Sequence, residues 1–480
     1  MANSRNSRSR NKASGLQVEF ERALGDILAR VCVSATAGSA TPPPVTENRP
    51  SIAVAYSGGL DSSVLLHLAS EYARTHELPI YAFHIHHGLS PNADAWLAHC
   101  QAESDRCGAT FAAAKVNVAG NGGRGVEEAA RIARYAGLGN LCRRHSVSLL
   151  LTAHHQDDQA ETVLLQLMRG AGLPGLSGMA AFQQHHDLLG AGIALGRPLL
   201  GIARATLEQA ALRFGLQHVG DESNADTRYR RNALRHDIAP VIETHFPGFA
   251  SLVARTAEHA QSAQSLLHQL AMIDLAACKA DALNDALDLP KVKSLSPERA
   301  DNLLRHWLYG QGVKLPSTSR LDEIRAQMFG AASDMHPFFD FGPVTLRRIG
   351  NRLELHPGMG TPPCDPLTLQ WQGEHEVMVP QWRGRLVFDK VDGPGLDAAK
   401  LRNRPLVLHP RAGQERLRVA ANRPSKSLKS LFQESSIAPW RRSWLPLIYL
   451  DTDLVFVAGL GMDARHLIPG ESVSLRWEME

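Results

Sequence analysis

The sequence lacks the features that define several protein classes. Although 44% of its 480 residues are hydrophobic, no uninterrupted apolar run approaches the roughly 20 residues of a membrane-spanning helix. We therefore expect no membrane partner. The six cysteines are scattered and form no C-x-x-C pair, which argues against a zinc ribbon, a dithiol redox motif or a cysteine-based sulfur carrier. Scattered thiols are typical of a reducing compartment, so we expect a cytoplasmic location.

The chain also lacks a strong excess of charge. Its 51 Lys and Arg residues and 48 Asp and Glu residues leave a net charge of +3, which by itself does not indicate a nucleic-acid partner. Basic residues are concentrated locally instead. Residues 1–50 combine a basic, Ser/Asn-rich segment, an amphipathic stretch at 16–32 and a Pro/Ala/Thr-rich stretch. This pattern predicts a flexible tail and linker that contain one helix.

A glycine turn follows the first strand-like run, at 52–56. The sequence Ser57-Gly58-Gly59-Leu60-Asp61-Ser62 leads directly into a predicted helix. Glycines allow a left-handed backbone and the close approach of a ligand, and the N-terminus of the helix attracts an anion. We therefore predict a phosphate-binding turn, although it lacks the lysine of a Walker A loop. The alternative is a plain helix cap at Ser57 or Asp61.

Strand and helix patterns alternate after the glycine turn. Further strand-like runs lie at 80–86, 110–118, 148–153 and 192–195, and helical spacing occurs at 63–76, 94–107, 125–145 and 156–169. This alternation predicts an α/β fold with a doubly wound parallel sheet, which binds ligands at the carboxyl ends of its strands. Helical patterns at 252–280, 296–310 and 319–329 precede a short β element at 335–356 with a Gly350-Asn351 turn. Strand-like runs at 367–371, 386–391 and 447–457 then predict a small α+β domain.

Three polar clusters lie at or near the predicted strand ends. They comprise His84, His86 and His87; then Glu127, Glu128, Arg131 and Arg134; and finally His154, His155, Asp157, Asp158 and Glu161. Buried polar groups are costly without partners, so the third cluster points to base or metal chemistry. A helix dipole would explain Asp157 and Asp158, but not His155 or Glu161. For the second cluster, an ordinary Glu128–Arg131 pair on a solvated face is an equally good interpretation.

The motifs also resemble those of a known family. SGGLDS resembles the pyrophosphate loop of the N-type ATP pyrophosphatases, the PP-loop enzymes. HIHHGLS, EEAARIARY, TAHHQDDQAET, RPLL and DESNAD follow in the same order as in the tRNA(Ile)-lysidine synthetases. The resemblance implies a PP-loop ATP-binding catalytic domain at 51–228, a mainly helical substrate-binding domain at 229–360 and an α+β tRNA-binding domain at 361–480.

The resemblance implies a ligase that uses ATP and Mg²⁺. Such an enzyme joins free L-lysine to C2 of the wobble cytidine, position 34, in the CAU anticodon of tRNA(Ile). An adenylated cytidine is the intermediate, and the product, lysidine, changes the codon that is read from AUG to AUA. The expected partners are therefore this tRNA and L-lysine, and the sequence leaves open whether the chain forms a homodimer. A tRNA thiolase would need catalytic cysteines, and a non-catalytic nucleotide sensor would not need Asp157, Asp158 and Glu161.

The resemblance also implies roles for individual residues. The residues expected to bind ATP are Ser57, Gly58, Gly59, Leu60, Asp61, Ser62, His84 and Ile85. Asp61 would be a metal ligand, and Arg131 would stabilise charge on the α-phosphate. Asp158, Glu161 and His155 are alternative bases for the lysine amine, with Asp158 preferred. The residues expected to bind lysine are Asp158, Glu161, Glu222 and Asn224.

Basic residues in two regions are expected to contact tRNA phosphates. One is a basic helix that follows the catalytic motifs, and the other lies in the C-terminal domain. An ordinary solvated helix face is the alternative for the first region. The residues expected to bind tRNA are Arg228, Arg230, Arg231, Arg235, Arg411, Arg416, Lys426, Lys429 and Arg441.

Overall fold

The computed structural model describes residues 3–37, 50–88, 90–117, 126–220, 226–280, 285–313, 317–331, 337–358, 360–435, 437–438 and 440–479. The chain forms two compact units, Met1–Leu270 and Ala271–Glu480. The predicted domain limits at 50, 228 and 360 divide the chain more finely, and they stay predictions. None of the described helices combines the length and the apolar character needed to cross a membrane.

The first unit is built on a six-stranded sheet. Its strands are β1 (Ile52–Ala55), β2 (Ile80–His86), β3 (Thr110–Lys115), β4 (Leu149–Leu151), β5 (Phe182–Gln183) and β6 (Ala194–Gly196). They are arranged in the order β3-β2-β1-β4-β6-β5, and every neighbouring pair is parallel except β5 with β6. The predicted parallel sheet is therefore confirmed. The order of strands along the chain reverses between β1 and β4, and ligands bind at such switch points.

Helices cover both faces of this sheet. They are α1 (Asn3–Ala37), α2 (Leu60–His76), α3 (Ala93–Cys107), α4 (Val126–Arg144), α5 (Gln156–Leu167), α6 (Leu173–Leu176), α7 (Arg204–Phe214), α8 (Arg230–Ala233) and α9 (Ala239–His245), with a π-helical turn at Leu234–Ile238. Ile52 and Val54 of β1 belong to one hydrophobic core, and Ala53 between them belongs to the other. Because side chains alternate between the faces of a strand, these two cores confirm the double winding.

The N-terminal segment differs from the prediction. Helix α1 begins at Asn3, well before residue 16, so most of the expected flexible tail is helical. Phe20 and Leu24 of this helix are buried in the first unit. Packing of these residues supplies the helix nucleus, and adding further residues to an existing helix costs little. The predictions also omitted α6, β5 and α7, and β3 ends at Lys115 rather than at residue 118.

The second unit begins with helices and a small antiparallel sheet. The elements of this region are α10 (Phe249–Cys278), which starts in the first unit, β7 (Leu287–Asp288), α11 (Leu289–Ser294), α12 (Pro297–Gly310), α13 (Thr318–Gly330), β8 (Phe338–Asp340), β9 (Val344–Ile349) and β10 (Arg352–Pro357). The strand order is β7-β10-β9-β8. Ile349 pairs with Arg352 across the turn, which confirms the predicted turn at Gly350-Asn351.

The C-terminal part of the second unit is α+β, as predicted. Its elements are β11 (Leu367–Leu369), β12 (Glu376–Val379), β13 (Gly384–Asp392), α14 (Ala398–Asn403), β14 (Leu406–His409), β15 (Arg416–Leu417), β16 (Lys426–Ser427), α15 (Leu428–Glu434), β17 (Leu447–Leu450), β18 (Asp453–Val457), β19 (Gly461–Met462) and β20 (Glu471–Met479). The run at 447–457, predicted as a single strand, is instead a hairpin of β17 and β18. It turns at Asp451, whose φ is +57°, a value that Asp tolerates better than most residues.

Candidate active site

The glycine turn lies at the carboxyl end of β1, at the switch point. Gly58 has φ of +84°, and a Cβ atom there would lie 2.9 Å from the Cys100 sulfur. Only glycine fits this position without strain. Gly59 is the N-cap of α2, which begins at Leu60. Because a glycine cap has no side chain that could accept hydrogen bonds, the first N–H groups of α2 remain available to an anion.

Two serine hydroxyls fix the shape of this turn. Ser57 Oγ and Ser62 Oγ are 3.0 Å apart, and Ser62 also donates to the Gly59 carbonyl at 2.9 Å. The Gly59 N–H donates to Ser57 Oγ at 3.4 Å. The turn is therefore held in place by its own side chains before any ligand binds.

His155, at the carboxyl end of β4, lies beside the glycine turn. Its Nε2 atom is 3.7 Å from Asp61 Oδ2 and 3.4 Å from Asp158 Oδ2, and its side chain is 1% exposed. His155 also caps α5: the Asp158 N–H donates to Nδ1, and the His155 N–H donates to Asp158 Oδ2. This capping box fixes the orientation of the ring. The strand-end cluster and the phosphate-binding turn thus form one site.

Asp61 has the properties of a metal ligand. Its Oδ1 atom is buried and has no hydrogen-bond partner among the described residues. Burial raises the pKa of Asp61, and nearby His155 and Arg204 partly oppose this effect. Mg²⁺ usually binds through one or two carboxylates together with phosphate oxygens and water. A single free carboxylate oxygen beside a phosphate-binding turn fits that requirement.

Arg231 and Arg235, which the sequence assigned to tRNA, contact the carboxylates of Asp158 and Glu161. Arg231 is 3.0 Å from Asp158 Oδ1 and 2.8 Å from Glu161 Oε2. Arg235 is 3.0 Å from Asp158 Oδ1 and 2.6 Å from Glu161 Oε1. Burial by itself would raise the pKa of Asp158, but His155 and the arginines outweigh it, so the pKa lies below its usual value. In this arrangement both carboxylates are ion-paired with both arginines, and a contact of these arginines with tRNA stays a prediction.

The other residues expected at the ATP site occupy three environments. His84 is buried, its Nδ1 lies 3.0 Å from the Tyr56 carbonyl, and burial lowers its pKa. The Ile85 side chain packs in the core, so only its backbone could face a nucleotide. Arg131 is half-exposed, 3.5 Å from Glu128. The Glu128–Arg131 pair that the sequence left as an alternative therefore forms.

Four further expected residues of the first unit remain to be placed. Glu222 and Asn224 lie outside the described residues. Arg228 pairs with Asp226 at 2.7 Å and, like Arg230, is exposed. Arg228 and Arg230 are thus the two members of the predicted basic helix that point to solvent.

Three of the five expected basic residues of the second unit contact other groups of the protein, although Arg416 among them is also exposed. Arg411 lies over an aromatic ring at 5.7 Å, Arg416 donates to a backbone carbonyl at 2.5 Å, and Lys426 pairs with a carboxylate at 2.8 Å. Lys429 and Arg441 are exposed. We therefore expect these two to be the most available to a phosphate group.

Sequence reasoning gave no role to Arg197, the first residue of RPLL. It follows β6, the strand next to β4, and is 6% exposed. An arginine directly after a buried strand is the signal that could have marked it, because arginines are rarely buried without a partner.

Three family models match the chain. They are the PP-loop domain at residues 33–242, the TilS substrate binding domain at 287–354 and the TilS substrate C-terminal domain at 406–478. A tRNA(Ile)-lysidine synthase of Burkholderia pseudomallei is 42% identical over 447 residues, which cover 86% of this chain and 89% of that protein. The chain belongs to the tRNA(Ile)-lysidine synthase family. Similar lysidine synthases are those of Ralstonia nicotianae, 40% identical with 89% and 92% covered, and Coxiella burnetii, 37% identical with 85% and 88% covered.

Membership of the lysidine synthase family confirms the resemblance that the motifs indicated. The PP-loop match contains the glycine turn, His155 and the paired carboxylates, so the site described above lies in the ATP-using domain of the family. The two matches in the second unit contain α11, α12 and the C-terminal basic residues.

Proposed function

We propose that the protein ligates free L-lysine to C2 of the wobble cytidine in the CAU anticodon of tRNA(Ile), at the expense of ATP. The observation that carries this proposal is the 3.7 Å separation of His155 Nε2 and Asp61 Oδ2. This short distance means that the phosphate-binding turn and the cluster of acids and an imidazole lie together at one switch point. A nucleotide-binding module without chemistry would need the turn but not the cluster.

In the first step, the C2 carbonyl oxygen of cytidine attacks the α-phosphorus of ATP. The bond to the β-phosphate breaks, and pyrophosphate leaves into the turn at Ser57 to Ser62. The N-terminus of α2 favours this highly charged anionic leaving group. Arg131 would stabilise charge on the α-phosphate. Asp61 would hold Mg²⁺, which neutralises phosphate charge when bound.

In the second step, the ε-amine of lysine attacks C2 and AMP leaves with the oxygen. The amine must first lose a proton, and its ammonium form needs an anionic site. Asp158 and Glu161 supply such a site, provided that the substrate replaces part of their contact with Arg231 and Arg235. The lowered pKa makes Asp158 better suited to bind the ammonium than to deprotonate it. Glu161 and His155 are therefore the better candidates for the base.

Binding of tRNA would use the exposed cations, Arg228 and Arg230 in the first unit and Lys429 and Arg441 in the second. Phosphate contacts of this kind position the RNA without reading its sequence, so the anticodon must be recognised at the site itself. A cytoplasmic location would supply the three proposed substrates, tRNA, ATP and free lysine. A homodimer stays a prediction, which a mass measurement in solution tests.

The cysteines weigh against a thiolase on the same loop. Burial raises the pKa of both Cys100 and Cys142 to about 12. Thiols protonated at neutral pH are poor nucleophiles and poor cluster ligands. These two buried thiols are therefore unsuited to carry sulfur.

The decisive experiment follows radiolabelled lysine into a tRNA(Ile) transcript with a CAU anticodon. We expect lysine incorporation that depends on ATP and equals the AMP formed, and none with a UAU transcript. Asp158→Asn should reduce lysine incorporation more than pyrophosphate release, because the carboxylate acts in the second step. AMP formation without lysine incorporation into any CAU transcript would refute the proposal.

A further inference from the structure

Arg197 is a buried cation that the proposed reaction does not yet use. Its backbone N–H donates to the Ala181 carbonyl at 2.8 Å, and its side-chain Nη1 donates to the Ala180 carbonyl at 2.7 Å. Its Nε atom is buried without a hydrogen-bond partner among the described residues. The pKa of Arg197 is influenced by Tyr135 and Arg131, and Arg197 in turn influences the pKa values of His154 and His186; none of these groups is a carboxylate. A buried guanidinium without a counter-anion is costly, which suggests that an anion completes this site.

The surroundings of Arg197 are also cationic. Tyr135 bonds to the guanidinium and stacks on His186 with ring centroids 4.5 Å apart. The guanidinium carbons of Arg131 and Arg134 lie 5.6 Å and 5.7 Å from the Tyr135 ring centroid. We call Arg134, Tyr135, His186 and Arg197 the Arg197 cluster; Arg131 lies beside it, is paired with Glu128 and keeps its proposed role at the α-phosphate. Burial, together with the positive charge of Arg197 and Arg131, lowers the pKa of His186, and the carboxylate of Asp187 partly opposes this effect. The cluster therefore favours an anion over a second cation.

The Arg197 cluster lies on the same edge of the sheet as the active site. Gly196, the last residue of β6, pairs with Leu151 of β4, and the Thr152 N–H donates to the Gly196 carbonyl at 3.0 Å. Neighbouring strands are about 4.8 Å apart. The edge therefore presents three sites in order: the phosphate-binding turn after β1, the acid and imidazole cluster after β4, and the Arg197 cluster after β6.

Lysine carries charges of both signs, and two of these sites match them. We propose that the Arg197 cluster binds the α-carboxylate of the amino-acid substrate while its side-chain ammonium lies at Asp158 and Glu161. The inference rests on the proposed function. A nucleotide phosphate is also an anion that a guanidinium could bind. The glycine turn and the N-terminus of α2, on the other side of β4, already provide a site for that phosphate. A guanidinium suits a carboxylate because it donates two parallel hydrogen bonds.

The test compares lysine with cadaverine, which is lysine without its carboxylate. We expect the wild-type protein to use lysine at a kcat/KM at least tenfold above that for cadaverine, since one hydrogen bond to a charged group is worth about 10- to 150-fold. Arg197→Gln should reduce this ratio to near one, mainly through a higher KM for lysine. Arg197→Lys keeps the charge and should restore part of the preference. Pyrophosphate release from ATP and tRNA in the absence of lysine reports the nucleotide site separately.

Arg143→Gln is the matched control. Arg143 lies on α4 and, like Arg197, donates to a backbone carbonyl, that of Leu189, at 2.8 Å, but it is not part of the Arg197 cluster. The control variant should keep the wild-type preference for lysine. Equal losses with lysine and cadaverine in Arg197→Gln, or a raised KM for ATP, would show a structural or nucleotide role and overturn the inference.

Wild-type protein alone also provides a test, in case Arg197→Gln does not fold. Lysinamide replaces the carboxylate with a neutral amide of similar shape, and we expect it to react at least tenfold less efficiently than lysine. If wild-type protein used lysine, lysinamide and cadaverine equally well, no carboxylate site would exist. If it incorporated none of the three while releasing AMP, the proposed function itself would fail.

Discussion

Replacing Glu161 with Gln should reveal how much the ion pairs of Glu161 with Arg231 and Arg235 contribute to the stability of the protein. The Glu161 side chain is 6% exposed, and guanidinium nitrogens lie 2.6 Å, 2.8 Å and 3.0 Å from its oxygens. Removing one partner of a buried ion pair typically costs about 3–5 kcal/mol. Because Asp158 remains as a second partner for both arginines, we expect the lower end, about 3 kcal/mol of unfolding free energy. Urea unfolding followed in the first unit measures this change.

A double-mutant cycle isolates the contact itself. Glu161→Gln combined with Arg235→Gln should be less destabilising than the sum of the single changes, with a coupling energy of about 1–3 kcal/mol. The control cycle uses Arg320 and Glu323, a pair at 2.8 Å whose side chains are 45% and 54% exposed, where we expect about 0.3–0.5 kcal/mol. Equal coupling in the two cycles would refute our reasoning and would return Arg235 to the candidates for tRNA binding.

Three further predictions concern the turn, the metal ligand and the RNA surface. Gly58→Ala should lower ATP affinity about 5- to 150-fold, which corresponds to strain of about 1–3 kcal/mol. Gly108→Ala, also at positive φ but with nothing within 4 Å, should leave ATP binding intact in the same titration. Asp61→Asn should abolish pyrophosphate release and yet raise the melting temperature near pH 7. Burial raises the pKa of Asp61, so the contribution of this carboxyl group to stability is present in acid and is lost as the pH rises through the pKa of the folded state. An unchanged melting temperature near pH 7, or an increase that persists in acid, would contradict this. Lys429→Gln should reduce the slope of log tRNA affinity against log salt by about one, whereas Arg235→Gln should leave it unchanged.

Local pattern was sufficient for most of the first unit. Ile52, Ala53 and Val54 alternate between two cores, and the glycine at position 58 is required by a positive φ. Such features depend on backbone geometry over a few residues, so the sequence predicts them directly. The phosphate-binding turn and its position after β1 follow from the same short-range rules.

Some limits of elements could not be predicted from local pattern. Residues 447–457 are apolar enough for one long strand, yet Asp451 takes a left-handed conformation and creates a hairpin. Helix α1 likewise extends beyond its apolar stretch. In both cases packing or turn formation outweighs local propensity.

The sequence by itself determined the parallel sheet, the glycine turn and the presence of His155, Asp158 and Glu161 near a strand end. Only the tertiary structure decided the partners of Arg231 and Arg235. A basic helix looks the same in sequence whether its cations face solvent or pair with carboxylates about seventy positions away. Its orientation depends on the packing of distant segments, and ion pairing is a property of distance in space rather than along the chain.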